Sequence, residues 1–259
     1  MLAEERRERI LEMLGQQGRV IAADLAQRFA TSEDTIRRDL RDLDLAGKLR
    51  RVHGGAVRRT GMGPDFRERV ATDPVRKRAL ALAAAALIRP EDILLIDAGS
   101  TNLALARLLE DGQATAIITN CPHIAVATGH FSRTEVIMLG GTVAAGTGSV
   151  RGARTLRALA DIRADLCFIG ACGLDPAFGL GVWESEDAVL KQAMIYASHR
   201  TACAVTTEKL TQTAPFKVAD LAGLHHIILE ADAPADLVTR LRAGAEAPDV
   251  RIAAPEAGQ

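Results

Sequence analysis

Cysteine is scarce: Cys121, Cys167, Cys172 and Cys203 are the only four in 259 residues, with no CxxC pair and no histidine at zinc-finger spacing. That argues against a disulfide framework, a dithiol redox site and a structural zinc site, and three of the four thiols sit in apolar runs where sulfur behaves as a small hydrophobe. They read as reduced core residues of a cytoplasmic protein. Long apolar runs are missing as well. Residues 79–88 form the longest uncharged one near the middle, alanine-rich and too short to cross a bilayer, and charges follow Met1-Leu2 at once. Neither a membrane span nor a signal peptide is expected. No GxGxxG or GxxxxGK[ST] run occurs, which disfavours a dinucleotide or a nucleoside triphosphate, and neither cofactor nor metal is expected. An excess of one charge is also lacking, since the net is −1. Its distribution is uneven, however: residues 1–59 carry +3 and the remainder −4.

What is present begins with a 48% hydrophobic composition, ample for a packed core, and a length that suits two domains. In the first quarter, Ile36, Leu40 and Leu43 share one stripe at 100° per residue, with Asp34, Arg37, Arg38 and Arg41 opposite. Arg37 and Arg41 are like charges four apart, which weakens an isolated helix unless an anion faces them. That anion is either Asp34 or DNA. Thr31 or Ser32 can cap this helix, with Asp34 near the positive end of its dipole. A helix over residues 6–14 and another from Ala22, with Leu25 and Phe29 on its buried side, precede it across a three-residue turn. The pair makes a helix-turn-helix candidate. Beyond Gly47, Leu49 and Val52 anchor a two-stranded wing tipped by Gly54-Gly55, and Lys48, Arg50, Arg51 and His53 continue the cationic stripe. Such a stripe suits a duplex phosphate backbone, with helix side chains in the major groove. A solvated charged face, with Arg38 and Asp42 as a surface pair, is the competing reading.

Thr35-Ile36-Arg37-Arg38-Asp39-Leu40, then Gly47-Lys48-Leu49-Arg50-Arg51-Val52-His53-Gly54-Gly55-Ala56, resembles the signature of the DeoR family of bacterial transcriptional regulators. The resemblance implies sequence-specific binding of double-stranded operator DNA by Ser32, Thr35, Arg37, Arg38, Arg41, Lys48, Arg50, Arg51, His53, Gly54 and Gly55. Thr31 stands where many relatives have valine, which weakens packing at the turn without changing the docking.

The chain divides on this reading into a winged helix-turn-helix at 1–57, a polar linker at 58–73 without sustained period, and an effector domain at 74–259. The last alternates helices with apolar runs of four to seven residues, the pattern of a mostly parallel sheet covered on both faces. Polar residues fall at the carboxyl ends of the strands, where ligands of open α/β sheets bind. Asp97-Ala98-Gly99-Ser100-Thr101-Asn102 follows one strand and opens a helix, a setting that suits a phosphate. Thr119-Asn120, Gly140-Gly141-Thr142 and residues 170–173 follow others.

This half resembles the family's effector domain, similar in fold to ribose-5-phosphate isomerases, through Asp97-Ala98-Gly99-Ser100-Thr101, Thr119-Asn120, Gly140-Gly141, Gly152, Asp165, Phe168-Ile169-Gly170, Glu186-Asp187-Ala188, Lys191 and Lys209. The resemblance implies a phosphorylated sugar effector, with Ser100, Thr101 and Asn102 around phosphate and Asp97 and Lys209 meeting sugar hydroxyls or phosphate. Gly99, Thr119, Asn120, Gly140, Gly141 and Gly170 complete the expected site. Near Lys209 the family usually has an Asp-Ser-Ser-Lys-Phe-like run, whereas this chain reads Thr206-Thr207-Glu208-Lys209-Leu210, which changes hydrogen bonding and charge beside the lysine. Lys191 and Gln192 are expected on the surface, and Trp183, the only tryptophan, either closes over a ligand or packs.

These expectations compose a homo-oligomeric repressor, dimer or tetramer, of a carbohydrate operon, released from DNA by a phosphorylated sugar and not an enzyme. Two alternatives remain open. One is a sugar-phosphate isomerase with an accessory DNA-binding domain, using Asp97, Glu208 and Lys209 as acid–base groups. The other is an architectural DNA binder without a ligand.

Overall fold

The computed structural model describes residues 3–17, 19–52, 54–57, 65–212 and 214–254. The chain divides into two compact units, Met1–Pro64 and Asp65–Gln259.

In the first unit, helix α1 (Ala3–Gln17) leads to strand β1 (Arg19–Ile21), helices α2 (Ala22–Arg28) and α3 (Glu33–Leu45), and strands β2 (Arg50–Val52) and β3 (Gly55–Val57). Ser32 is the N-cap of α3, its hydroxyl oxygen accepting from the Thr35 N–H at 3.2 Å. This satisfies one of the free donors of the first turn. Ile36, Leu40 and Leu43 are buried with Ile10, Leu14, Leu25 and Leu49, so the apolar stripe of α3 packs as its spacing predicts. Ala30, in the turn before α3, takes φ +49°.

The wing has three strands instead of the expected two. Strand β1 pairs antiparallel with β3, Val20 opposite Ala56, giving the order β1-β3-β2. Three residues are too few to display a period. Glycine is required at the wing turn, because Gly54 has φ +81° and a Cβ on Gly55 would stand 2.1 Å from the Val20 carbonyl oxygen.

Of the expected linker, residues 58–64 lie outside the described residues. The rest is not irregular: helix α4 (Phe66–Ala71) belongs to the second unit, which starts at Asp65 rather than at 74. Asp65 and Glu68 form a reciprocal capping box around its first turn. Six residues give no helical period, but Asp65-x-x-Glu68 was a readable start signal.

The second unit continues with α5 (Pro74–Ala85), β4 (Ile93–Ile96), α6 (Ser100–Leu108), β5 (Ala116–Thr119), α7 (Pro122–Thr128) and β6 (Glu135–Met138). A hairpin of β7 (Thr142–Ala144) and β8 (Ser149–Arg151) precedes α8 (Ala153–Ala160) and β9 (Ala164–Phe168). Then come β10 (Gly173–Asp175), β11 (Gly179–Val182), α9 (Ser185–Tyr196) and β12 (Ser198–Val205). A 3-10 turn at Thr207–Thr211 leads to β13 (Phe216–Ala219), β14 (His226–Leu229), α10 (Ala235–Leu241) and β15 (Asp249–Ile252).

Seven parallel strands form the main sheet in the order β15-β14-β12-β9-β4-β5-β6. Side chains alternate across it. Leu94 and Ile96 of β4 join a cluster with Leu80 of α5, Leu105 of α6 and Ile124 of α7, whereas Leu95 joins Leu159 of α8, Leu190 and Met194 of α9 on the other face. The parallel sheet between helix layers matches the alternation read from the sequence. The small antiparallel sheet β10-β11-β13 was not anticipated, its strands being short and two of them, β10 and β11, glycine-containing. The strand order makes one position special. After β4 the chain runs to β5 and β6 on one side, and after β9 to β12 and β14 on the other. Neighbours β4 and β9 therefore flank a switch point, where loops diverge at the carboxyl edge and leave a crevice.

Candidate functional site

On the first unit, the outward face of α3 carries Arg37, Arg38 and Arg41, all exposed. Arg37 donates to Glu33 at 2.8 Å and lies 3.8 Å from Asp34, so its local anion is mainly Glu33 and not the expected Asp34. Arg38 and Arg41 have no ion pair among the described residues, and Asp42 pairs with Arg7 instead of Arg38. Ser32 and Thr35 are engaged in the cap, their hydroxyls 2.9 Å apart. Lys48 and Arg51 are exposed, Arg50 pairs its backbone with Val57, and His53 lies outside the described residues. Gly54 and Gly55 shape the wing turn, as above.

A residue the sequence did not single out orients this face. Asp39, on the inner side of α3, is 2% exposed. Its carboxylate accepts from Arg6 Nε at 2.5 Å and Arg7 Nε at 2.9 Å, tying α3 to α1.

On the second unit, Asp97 follows β4 and Gly170 follows β9, one on each side of the switch point. Asp97 is fully buried. Its Oδ1 accepts from Asn120 Nδ2 at 3.0 Å, and its Oδ2 from the Gly170 N–H at 2.8 Å and from Lys191 Nζ. Asn120 Oδ1 accepts from the Ala98 N–H at 2.9 Å, and Asn102 Nδ2 bridges the carbonyls of Asp97 and Phe168 at 2.9 and 3.0 Å. Thr119, also fully buried, donates to the Ile96 carbonyl at 2.6 Å and accepts from the Cys121 N–H. Asp97, Asn102, Thr119 and Asn120 thus form the frame beneath the crevice. Gly99 precedes α6 as its N-cap, and Ser100 and Thr101 occupy the first turn, each 7% exposed. Among the described residues neither hydroxyl has a hydrogen-bond partner. Gly140 and Gly141 lie beyond β6, where a Cβ on Gly141 would stand 2.3 Å from Thr155 Oγ1. Lys209 is half-buried in the 3-10 turn, and burial lowers its ammonium from the ordinary value.

Lys191 differs from its expected surface placement: it is 4% exposed, its helix α9 packing onto the sheet, and it lies between Asp97 and Asp187, 3.8 Å from the latter. Charge at i and i+4 on α9 was the available signal, but it does not distinguish a buried pair from a surface one. Gln192 is exposed, as expected, and Trp183 is half-buried. Burial raises the Asp187 carboxyl above its usual range; Lys191 and Arg151 oppose the rise, while Asp97 and Glu184 add to it. A carboxyl raised on folding favours the folded state fully below the unfolded pKa and loses that contribution as pH rises through the folded one. Asp187→Asn is accordingly expected to gain melting temperature over the wild type as pH rises from the ordinary carboxylate range upward. A difference in thermal melts that does not change with pH would contradict this.

The sequence reading also missed a clamp at the same sheet edge. Arg76 of α5 donates to Glu230 at 2.6 and 2.9 Å and to Asp232 at 2.7 and 2.8 Å. Glu230 accepts from the Thr207 N–H at 2.6 Å, and Asp232 from the Thr207 hydroxyl at 2.6 Å. The Thr206-Thr207-Glu208 departure therefore has its own bonding pattern, with Thr206 donating to Glu208 at 3.2 Å. All four thiols are free, and burial raises each, Cys203 to about 12. No described helix is long and apolar enough to cross a membrane.

Residues 6–61 match the DeoR-like helix-turn-helix domain and residues 72–231 the DeoR C terminal sensor domain. The L-fucose operon activator of Haemophilus influenzae is 30% identical over 236 residues, 90% of this chain and 94% of that one. The glycerol-3-phosphate regulon repressor of Escherichia coli K12 is 27% identical over 235 residues, 90% and 93% of the two chains. The transcriptional regulator GolR of Listeria innocua is 30% identical over 192 residues, 73% and 76%. Among solved structures, ribose 5 phosphate isomerase A from Neisseria gonorrhoeae is similar at 14% identity, with a TM-score of 0.39 over 53% of this chain and 54% of that one. With both domains matched in order and relatives aligned along most of its length, the chain belongs to the DeoR family of DNA-binding transcriptional regulators.

Proposed function

We propose that this regulator represses a carbohydrate-metabolism operon and leaves its operator when a phosphorylated sugar binds at the switch point of the second unit. The observation that carries the effector reading is the pair Ser100 and Thr101 on the first turn of α6, each residue 7% exposed, with hydroxyls that have no hydrogen-bond partner among the described residues. First-turn N–H groups and the positive end of the helix dipole favour an anion there. Relatives named for fucose and glycerol 3-phosphate regulons support a carbohydrate target. Of the acid–base groups the isomerase alternative would use, Asp97 is bonded to Lys191 beneath the crevice, which favours binding over turnover. A dimer or tetramer would set two α3 helices on half-sites about 34 Å apart.

A thermal-shift screen of the full chain against phosphorylated sugars and their unphosphorylated counterparts tests the effector reading. At least one phosphorylated compound should raise the melting temperature while its counterpart does not. No shift with any of them would overturn it. On the DNA side, Arg51→Ala is expected to weaken binding to every duplex and to reduce the slope of log K against log salt by about one. An unchanged slope would remove Arg51 from the interface.

A further inference from the structure

The main sheet has two edges, and they are finished differently. On β15, Asp249 and Arg251 are exposed and bonded at 2.7 Å, with His226 of β14 3.2 Å from the same carboxylate. Charges of this kind keep an edge from pairing with another chain. On β6, Glu135 is the only charged residue, Val136 is half-buried, and Ile137 and Met138 are 39% and 37% exposed. Strand β5 pairs with the inner side of β6, and among the described residues no strand pairs with its outer side. An apolar edge with an open row of backbone groups is a template for a further strand.

The backbone restricts what that strand can be. The N–H groups of Glu135 and Leu139 bond inward, to the Thr115 and Thr119 carbonyls at 3.2 and 2.8 Å. On a period of two, the N–H and carbonyl groups of Val136 and Met138 therefore point outward. Side chains alternate on the same period. Val136 and Met138 stand on the α7 face, where they line an open groove with Ala125 and Phe131, whereas Ile137 and Leu139 stand on the α8 face with Ile118 and Leu159. A second copy of β6, laid antiparallel about a two-fold axis at Ile137, meets both conditions over the whole of residues 135–139. Val136 then exchanges backbone bonds with Met138 of the second copy, Ile137 faces Ile137, and each side chain meets one on its own face. Pairing of β6 with β15 would instead run head to tail without closing.

Charge favours the same occupant. This register sets Glu135 opposite Leu139 of the second copy, beside Gly140, and a Cβ on Gly140 would stand 3.4 Å from Arg154 Cδ of α8. Glu135 and Arg154 are both exposed, and neither has an ion pair among the described residues. The two-fold axis forms the Glu135–Arg154 pair twice.

We propose that β6 is a subunit interface, at which two copies of the chain pair these strands antiparallel about Ile137 and Glu135 of each meets Arg154 of the other. The interface rests on the oligomeric state in the proposed function and needs nothing of the effector site.

The test uses the full-length protein. At the axis the two Ile137 Cα atoms form a pair without backbone bonds, about 4.5 Å apart, within disulfide reach. Two Val136 Cα atoms lie about 7–8 Å apart, beyond it. A mild thiol oxidant should therefore cross-link Ile137→Cys into a dimer, and Val136→Cys and the wild type far less. In sedimentation the wild type should be a dimer or larger, and Glu135→Arg should halve its mass, with Arg154→Glu added to that variant restoring it. Met138→Pro, which removes an N–H that its own sheet does not use, should halve the mass as well. A monomeric wild type overturns both the interface and the oligomeric reading. An oligomeric wild type whose Ile137→Cys variant does not cross-link, or whose Val136→Cys variant cross-links as readily, overturns the interface alone, as does failure of Arg154→Glu to restore the charge-reversed variant. If the edge variants melt early, the two cysteine variants still separate these outcomes.

Discussion

Asp39→Ala is expected to destabilise the DNA-binding unit by about 2–3 kcal/mol and to abolish operator binding near the growth temperature, although Asp39 is buried on the inner side of α3. Removing one partner of a buried ion pair leaves the other charge uncompensated, which typically costs about 3–5 kcal/mol. The expected loss is smaller because Arg7 is 33% exposed and can take water, while Arg6, at 12%, cannot fully do so. A domain of this size holds only a few kcal/mol in reserve. Arg38→Ala should behave oppositely, weakening DNA binding with an unchanged melting transition. Circular-dichroism melts and duplex titrations of both variants check this; an Asp39→Ala protein that melts like wild type would show that the α1–α3 pair does not position the helix.

The second large effect is expected at Lys191. Its side chain is 5% exposed and that of Asp97 0%, so Lys191→Met should cost about 3–5 kcal/mol of stability in the second unit. Asp97→Asn should cost a similar amount, since an amide cannot serve Gly170, Asn120 and Lys191 as acceptor in the same way. The double variant should cost clearly less than the two single losses added, because each single change strands a charge that the double change removes. Urea unfolding of the four proteins measures the coupling, and strict additivity would contradict a shared pair. Ser100→Ala and Thr101→Val are expected to spare stability and to remove ligand response, which separates lining groups from the frame.

The contrast between these residues explains what was legible in the sequence. Ile36, Leu40 and Leu43 announce their burial through period, and β4 through a short apolar run between turns, so the helix-turn-helix and the parallel sheet were both readable. Asp97-Ala98-Gly99-Ser100-Thr101-Asn102 was readable as a strand-to-helix turn. Its internal division was not, because nothing in residue type distinguishes Asp97, bonded to a lysine 94 positions away, from Ser100, whose hydroxyl has no partner among the described residues. Asp39 was not singled out and Lys191 was expected on the surface for the same reason: each bonds to a charged group on another element, and a charged residue in a helix is ordinarily solvated. Strand β1 and helix α4 are too short for a period, although the Asp65–Glu68 cap marked the latter.

Coupling of an anion-binding crevice to DNA affinity within one chain requires the ligand to bind one state more tightly than the other. Its most direct test is fluorescence anisotropy of a duplex selected from a random pool by the full-length protein, titrated with and without each sugar phosphate. At least one phosphorylated sugar is expected to weaken duplex binding while its unphosphorylated counterpart does not, and Thr101→Val is expected to bind the duplex normally but no longer respond. Duplex affinity unchanged by every sugar phosphate, or lowered equally by phosphorylated and unphosphorylated forms, would contradict it.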